Sequence, residues 1–492
     1  MAGTRPASEQ VGAVSPRPLA LPRARAHHRL GSAGRPARLP TVRRGLYRTR
    51  RWRAGFPSQH PRPRALPLAY ARASRGGAMT TPAPSPPPLR GEHTAATRRH
   101  QATPQSTTRP TVLFLRGPFG RVMLANFAFF LNFASFFLLP LFVKELGGSE
   151  ATVGWVMGTG GLATLLTLPA VALWIDRVHR RLVFQTGAVI MTLAALGYLF
   201  VHRIGPEIVC LRLAQGVAFA ASFTAATTLA ATLAPAAMRA RALGWFGVST
   251  LLTHALAPAL GEEIIHRNGF PALFVTAALC SAASAWWISG VVEHPVSGST
   301  RTARATLPRA HYVLAVVMVL FGMGFGCITT YAASFIKTQQ LGRVGGFFAA
   351  YTASAIGVRI FGGSVSDRWG RRVVILPALA TLGLAILALA FVRQAPALIA
   401  AGALFGLAQG LAYPTLHAFL VDTSPAAALG KAQALFNGSF NLGVMASAFL
   451  FGVIADAWGQ RWMFACAACT PWLAALLFGV GARNQGPAVR AS

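Results

Sequence analysis

The fold is decided by a charged octapeptide that closes an apolar run twice in this chain. The two copies read Trp174-Ile175-Asp176-Arg177-Val178-His179-Arg180-Arg181 and Val365-Ser366-Asp367-Arg368-Trp369-Gly370-Arg371-Arg372. Outward from them the agreement continues, because Val153-Gly154 stands as far before Asp176 as Val344-Gly345 stands before Asp367. The tetrapeptide Leu-Ala-Gln-Gly follows in each half, at 213–216 and 407–410. These repeats predict a duplicated chain.

Composition places the duplicated chain in a membrane. Hydrophobic residues make up 53% of it, charged residues 12%, and the mean hydropathy of +0.48 is too high for a soluble enzyme of this length. About 20 apolar residues cross the ~30 Å hydrocarbon layer as a helix. Twelve such stretches begin near residues 122, 152, 182, 207, 242, 270, 311, 345, 373, 396, 432 and 461. We therefore predict an all-α integral membrane protein with twelve transmembrane helices in two six-helix bundles.

The placement of basic residues predicts the orientation of the helices. When alternate connections are assigned to opposite sides, one side carries sixteen Lys and Arg residues and the other carries seven. The richer side is cytoplasmic by the positive-inside rule, so both termini are expected in the cytoplasm. The Arg-rich, Lys-poor composition is typical of a bacterium with a G+C-rich genome, and the bacterial inner membrane is the expected location.

The expected domains are an N-terminal bundle at 111–291, a cytoplasmic linker at 292–310, a C-terminal bundle at 311–484 and a tail at 485–492. Residues 1–110 carry 21 Arg and two Glu and are rich in Pro, which predicts a disordered segment. A transit peptide or a nucleic-acid-binding arm would share this composition. We favour a start codon assigned too early, with translation beginning at Met79 and residues 1–78 untranslated.

The second octapeptide resembles the signature loop of the major facilitator superfamily of secondary transporters, efflux permeases in particular. The matching residues are Gly363, Asp367, Arg368, Gly370, Arg371 and Arg372. The first copy keeps Asp176, Arg177, Arg180 and Arg181 but has Ala172 and His179 where the family usually has glycine. The resemblance implies a charge latch that stabilises one of two bundle arrangements. The alternative is that these arginines only fix the topology.

Three residues are candidates for proton coupling. Arg212 precedes the first Leu-Ala-Gln-Gly, and together they resemble a motif of proton-linked members of the superfamily. A charged side chain in an apolar helix should face the interior of the helix bundle. The alternative is that Arg212 extends to the membrane–water interface. His254 is the one histidine that we place deep in a helix, where a structural role is the alternative. Glu262 lies at the outer end of the same helix.

Pro258 and Gly261, also in this helix, resemble a gating motif of exporters, although Ala257 replaces the glycine that usually precedes the proline. The alternative is a proline kink that says nothing about the direction of transport.

Amide and hydroxyl groups in the helices that begin each half, and in the eleventh helix, are candidates to line a substrate cavity. They are Asn126, Asn132, Tyr331, Asn437 and Asn441. Many phenylalanines accompany them, which suits an apolar or weakly polar solute, although these rings are equally suited to face lipid.

The resemblance implies a secondary active transporter of a small organic solute that works by alternating access, as a proton-coupled efflux antiporter similar to drug or sugar efflux permeases. A nutrient uptake symporter or facilitator of the same fold is the alternative, and a non-transporting membrane sensor is the alternative from another class. No phosphate-binding loop, nucleophile–base pair or metal-ligand set is evident, so we expect no enzyme activity, no cofactor and no metal. The expected partners are the solute, protons and the lipid bilayer, with no nucleic acid, and the expected state is a monomer.

Overall fold

The computed structural model describes residues 117–234, 238–293, 306–362, 365–425 and 428–483. The predicted disordered segment 1–110 and the tail 485–492 lie outside these residues, as do Gly363 and most of the linker 292–310. All regular secondary structure in the described ranges is helical.

The long helices follow the predicted apolar runs. In chain order they are α1 (Pro118–Glu145, with a short 3₁₀ turn at Phe136–Leu138), α2 (Glu150–Arg177), α3 (Arg180–Phe200), α4 (Pro206–Leu233), α5 and α6 (together Arg239–Ser289), α7 (Arg309–Thr338), α8 (Val344–Phe361), α9 (Arg371–Phe391), α10 (Ala395–Thr423), α11 (Leu429–Trp458) and α12 (Gln460–Arg483). A five-residue helix, Val365–Trp369, precedes α9.

One continuous helix in this set contains two membrane spans. Arg239–Ser289 is 51 residues long and is broken at Gly269, whose φ of 76° and ψ of 179° lie outside the helical region. Pro271 follows two residues later and cannot donate a backbone hydrogen bond. We therefore treat 239–268 as α5 and 270–289 as α6. The predicted twelve transmembrane helices are confirmed in the described part of the chain, and no predicted start differs from the observed one by more than four residues.

The two halves meet through two equivalent helix pairs, α2 with α11 and α5 with α8. Because the duplication relates α2 to α8 and α5 to α11, both pairs are the same contact made twice. The repeated Val-Gly dipeptide lies in this contact. A Cβ atom on Gly154 would clash with the carbonyl oxygen of Ala448 in α11, and one on Gly345 would lie 2.6 Å from the Cα of Ala259 in α5. Glycine is needed here because the backbones approach so closely.

The repeated Leu-Ala-Gln-Gly also marks a close helix contact, this time within each half. Gly216 of α4 packs against the backbone of Gly160 in α2, and Gly410 of α10 packs against Ala355 in α8. A side chain at either glycine would separate the two helices. The duplicated motifs are therefore explained by backbone packing.

The halves are closest at their outer ends, by which we mean the ends predicted to face away from the cytoplasm. The close contacts of α2 with α11 involve Gly154, Gly158 and Gly161, all in the outer part of α2. The segment Leu139–Glu145 of α1 also packs against α7 at this end. Towards the inner end of the α5–α8 pair, by contrast, Gly247 is approached only by the side chain of Arg359.

Candidate functional site

An acidic residue at the outer end of α5 connects the two halves. Glu262 Oε1 forms an ion pair with Nζ of Lys337 in α7 at 2.6 Å, and its Oε2 accepts a hydrogen bond from the backbone N–H of Gly345 at 2.9 Å. Gly345 is in the first turn of α8, where N–H groups lack partners within the helix and the helix dipole favours negative charge. Glu262 therefore stabilises closure of the outer side.

Part of this arrangement recurs in the other helix pair, where the carboxylate again binds a helix N-terminus but the lysine pairs within its own half. Asp456, at the outer end of α11, accepts hydrogen bonds from the backbone N–H groups of Glu150 at 2.8 Å and Ala151 at 2.9 Å, in the first turn of α2. Lys144 at the end of α1 forms an ion pair with Glu150 at 3.3 Å. We call Glu262, Lys337, Asp456, Lys144 and Glu150 the outer latch.

Most of the outer latch was missed by sequence reasoning, although the repeat contains the signal. Lys144 and Lys337 are 193 residues apart, and Glu262 and Asp456 are 194 apart, which matches the 194 residues between the two Leu-Ala-Gln-Gly copies. Glu150 is additionally buried, with 6% of its surface exposed, and its Oε1 accepts hydrogen bonds from Ser334 at 2.6 Å and Gln460 at 2.9 Å.

The signature-loop residues Asp367 and Arg371, in contrast, form ion pairs within one half. Asp367 pairs with Arg371 at 2.5 Å, and Arg371 also reaches Asp422 at the end of α10, at 3.1 Å. The carboxylate of Asp176 is exposed and forms no ion pair with the residues that the structure describes. In this arrangement, therefore, neither aspartate joins the two halves.

The basic residues of the first copy hold the end of α6. Arg180 lies 3.8 Å from Glu293, and Arg181 donates from its backbone to Glu293 at 3.2 Å and from its side chain to Ser289 at 3.1 Å. Arg177 and its counterpart Arg368 are exposed at the inner helix ends. These contacts favour a packing role for Arg180 and Arg181.

The backbone conformation differs between the two loop copies at the position where only the second copy has glycine. Gly370 has a φ of 92°, which favours glycine, and it forms the turn between the short helix and α9. His179 occupies the equivalent position with a φ of −55°, which any residue adopts. The first loop therefore has no need of glycine at this position.

Arg212 faces the interior of its half, although it lies only six residues after the start of α4. Its Nη1 donates to Gln215 at 2.9 Å, and its Nη2 lies 3.3 Å from the sulfur of Met157 in α2. The Tyr198 hydroxyl also donates to Gln215, at 3.2 Å. Arg212 is thus held by neutral groups from three helices, which agrees with the interior position expected for a charge in an apolar helix.

His254 lies in the middle of α5 and does not join Arg212. Its ring contacts Phe137 of α1 at a centroid distance of 5.2 Å and Tyr351 of α8 at 6.2 Å. The partners of Arg212 and His254 do not overlap, so the structure does not bring these two candidates together. A second histidine, His417, lies in the last two turns of α10 and packs against Phe436 at 5.5 Å.

The two gating-helix candidates lie in the same helix. Pro258 lacks an N–H group, so the carbonyl of His254, four residues earlier, loses its partner within the helix. A Cβ atom on Gly261 would lie 2.8 Å from Leu138 in α1 and 2.9 Å from Leu273 in α6. The motif therefore combines a freed carbonyl beside the His254 ring with close packing near the outer end.

The five cavity candidates divide into two groups. Asn132 donates to the Ala277 carbonyl at 2.7 Å and to Ser281 at 3.1 Å, and the Tyr331 hydroxyl donates to the Ala448 carbonyl, so both join packed helices. Their burial in these contacts favours packing over contact with a solute.

Asn126 is also fully buried: it donates to Thr250 at 2.9 Å, and its carbonyl oxygen has no partner, as is also true of Asn132. Asn437 and Asn441 are the accessible candidates. Asn437 is exposed and lies 3.4 Å from the Tyr413 hydroxyl, and Asn441 donates to the backbone carbonyl of Asn437 at 2.9 Å. These two positions suit contact with a solute.

Comparison with known proteins decides the family. The family model described as Major Facilitator Superfamily matches residues 122–392 and 314–490, which together cover most of the chain. The chain belongs to this superfamily. It is an MFS transporter by family, with multiple membrane-spanning helices.

Two relatives and one solved structure resemble this MFS chain. An uncharacterized MFS-type transporter of Salmonella typhimurium is 25% identical over 372 residues, covering 71% of this chain and 93% of the relative. The staphylopine export protein of Staphylococcus aureus is 23% identical over 365 residues, covering 70% and 91%. A bacterial homologue of the human lysosomal transporter Spinster, crystallised inward-facing and occupied, superposes with a TM-score of 0.66 at 12% identity, covering 77% of this chain and 99% of that one. The structural likeness shows the shared fold.

In the described ranges of this MFS transporter, no group of three or more His, Cys, Asp or Glu side chains is arranged to hold a metal ion. The polar groups described above belong instead to helix contacts and to the region between the halves.

Proposed function

We propose that this MFS transporter exports a small organic solute by alternating access, in exchange for protons. The observation that carries the proposal is that, in the outer latch, the carboxylates of Glu262 and Asp456 each bind the N-terminus of a helix in the other half, and Glu262 also pairs with Lys337 of that half. Such contacts can form only while the outer side is closed. A transporter that opens outward must break them, so they are suited to control access from that side.

Glu262 supports the choice of protons as coupling ion. Protonation would neutralise its carboxylate, remove the attraction to Lys337 and weaken the hydrogen bond from Gly345. A proton bound from the outer side would therefore favour opening of that side. We assign Glu262 the main coupling role, with His254 and Arg212 as further candidates inside the helices.

Two weaker observations support export as the direction of transport. Pro258 and Gly261 resemble an exporter motif, and a relative of 23% identity is an export protein for staphylopine. Uptake by a symporter of the same fold would use the same latch, so direction needs a separate test.

Inside-out membrane vesicles containing the full chain provide that test. Respiration acidifies the vesicle interior, and a pH-sensitive dye reports proton release when a panel of organic solutes is added outside. Exchange predicts that a transported solute dissipates the gradient. Glu262→Gln should abolish this response. Glu263→Gln should retain it, because the closer ion pair of Glu263, 2.6 Å to Arg267, lies within its own helix, and its 3.8 Å pair with the exposed Arg343 of the other half is screened by solvent. A solute that enters without proton movement would contradict proton exchange.

A further inference from the structure

Partly exposed aromatic rings of α1 and α4 form a continuous surface in the N-terminal half. The ring of Phe133 stacks on that of Phe219 at a centroid distance of 4.5 Å, and Phe219 stacks on Phe223 at 5.4 Å. Behind them lies the buried Phe130, whose ring contacts the other three at 5.3 to 5.9 Å. We call Phe133, Phe219 and Phe223 the N wall.

The C-terminal half carries a related surface with polar atoms added. The 194-residue spacing of the two Leu-Ala-Gln-Gly copies relates Phe219 of α4 to Tyr413 of α10, and Phe223 to His417. Tyr413 and His417 are also partly exposed, and their rings pack on the buried Phe436 at 5.8 and 5.5 Å. The duplication has therefore kept ring-shaped side chains at both positions and made them polar in one half.

Two phenylalanines from neighbouring helices extend this second surface. The partly exposed ring of Phe440 in α11 contacts Tyr413 and Phe325 of α7, each at 5.6 Å. The Tyr413 hydroxyl lies 3.4 Å from the side-chain oxygen of Asn437, whose amide is exposed. We call Phe325, Tyr413, His417 and Phe440 the C wall.

The N wall is directed towards the other half. Phe137, one helical turn after Phe133 in α1, contacts Phe133 at 5.9 Å and stacks on Phe348 of α8 at 5.6 Å. Residues one turn apart lie on the same face of a helix. The face of α1 that carries Phe133 is therefore the face that meets the C-terminal half.

From Phe348 the ring contacts continue to the C wall. Phe348 contacts Tyr351 at 6.5 Å, Tyr351 contacts Phe405 of α10 at 5.3 Å, and Phe405 stacks on Phe325 at 6.4 Å. In the described ranges, no ring contact joins a residue of the N wall directly to one of the C wall. The two walls are thus joined through other rings and separate from each other beyond that junction.

The depth of the walls is that of a transport site. Phe133, Phe219 and Phe325 each lie within two residues of the middle of α1, α4 and α7. Alternating access places the solute near this midplane, between the halves. A surface that faced lipid would leave the exposed Asn437 amide in α11 without hydrogen-bond partners, which costs free energy.

We propose that the N wall and the C wall, together called the aromatic slot, enclose the aromatic ring system of the transported solute, whose hydrogen-bonding substituent contacts Tyr413 and Asn437. This inference rests on the proposed transport function and names its substrate class. Aromatic side chains stack favourably on a planar ring, and the hydroxyl and amide both donate and accept hydrogen bonds. The expectation of an apolar or weakly polar solute is thereby refined to an aromatic one with a polar edge.

Matched aromatic and saturated probes test the inference on the purified full chain. 2-Naphthamide and decahydronaphthalene-2-carboxamide share the amide and the fused two-ring skeleton, and the saturated member has the larger apolar surface, so burial alone would favour it. Ligand-dependent shifts in the thermal unfolding midpoint give their relative affinities. The proposal predicts at least about threefold tighter binding of the aromatic member.

Three variants assign the preference to the walls. Phe219→Leu keeps an apolar side chain and removes a stacking face, so the preference for the aromatic probe should disappear. Phe200→Leu, which removes a 79% exposed ring at the outer end of α3, should retain it. Tyr413→Phe keeps the ring and loses the hydroxyl, so it should weaken binding of 2-naphthamide and leave the preference over the saturated probe. If Phe219→Leu does not fold, Phe223→Leu replaces it.

Cysteine labelling tests which way the N wall faces. In inside-out vesicles and a background without the native cysteines, Phe223→Cys should react with a membrane-impermeant maleimide, and 2-naphthamide should slow the reaction. Leu193→Cys should not react, because Leu193 is exposed on α3, a helix that packs against α4 and α6 of its own half. An unreactive Phe223→Cys would place the N wall against lipid and overturn the aromatic slot.

The binding measurements can overturn the inference independently. Equal binding of the two probes, binding of neither, or a preference that persists in Phe219→Leu and Phe223→Leu would each do so. Proton-coupled flux of a non-aromatic solute in the same preparation would then leave the transport function standing, whereas absence of flux for every solute would count against the function itself.

Discussion

Replacing Glu262 by glutamine should shift the transporter from its outer-closed towards its outer-open arrangement. Glutamine keeps the shape of the side chain and one acceptor for the Gly345 N–H group, but it loses the ion pair with Lys337 at 2.6 Å. Because these contacts join the two halves, their loss destabilises the closed arrangement and leaves each half intact.

The structure sets the size of the shift. Breaking a fully buried ion pair costs about 3–5 kcal/mol. Here 11% of the Glu262 side chain but 48% of the Lys337 side chain is exposed, so solvent screening lowers the loss to about 1–2 kcal/mol. That free energy corresponds to about a 5- to 30-fold change in the ratio of the two arrangements.

Spin labels on the outer loops measure this ratio. Arg203→Cys, after α3, and Arg393→Cys, after α9, place one label on each half in a background without the native cysteines. Double electron–electron resonance should show a short outer distance in the parent and a growing longer population in Glu262→Gln. Glu263→Gln should resemble the parent. An unchanged distribution in Glu262→Gln would refute the assigned role of the latch.

Three further changes have defined outcomes. Gly154→Ala should weaken outer closure by about 1–3 kcal/mol, because the new Cβ meets the Ala448 carbonyl, while Gly244→Ala, in open space, should not; the same distance measurement checks both, and equal behaviour would contradict the packing argument. Asn132→Ala should lower the free energy of unfolding by about 0.5–2 kcal/mol through its two lost hydrogen bonds, seen as a lower melting temperature at unchanged solute affinity. Asp367→Asn should slow transport and leave the outer distance unchanged, because its carboxylate contacts only its own half; a change in outer distance would contradict this.

The helices were predictable because each membrane-spanning segment is determined by its own stretch of sequence. Each apolar run has to satisfy its own backbone hydrogen bonds, so its length and position follow from the sequence alone. The repeated Val-Gly dipeptides and Leu-Ala-Gln-Gly tetrapeptides were recognised as duplication, but their physical reason, close approach of α2 to α11 and of α4 to α2, needed the packed helices.

The candidate site was less accessible to sequence reasoning. Glu262 was singled out as an acid at the outer end of its helix, yet its importance lies in its partners in α7 and α8, which are distant in sequence. Asp367 was expected to form a charge latch, and only the structure shows its carboxylate paired with Arg371 of its own half. Asn132 and Tyr331 were chosen for their polarity, and the rotation of each helix decided that they face packed neighbours.

The central claim, a secondary transporter driven by protons, is tested most directly by solute flux in sealed proteoliposomes containing the full chain. An imposed pH gradient should drive uptake of a transported solute with accompanying proton movement in the parent, and His254→Ala and Glu262→Gln should reduce both together. Solute flux that ignores the pH gradient in the parent and in both variants would contradict proton coupling and leave a facilitator or a different coupling ion.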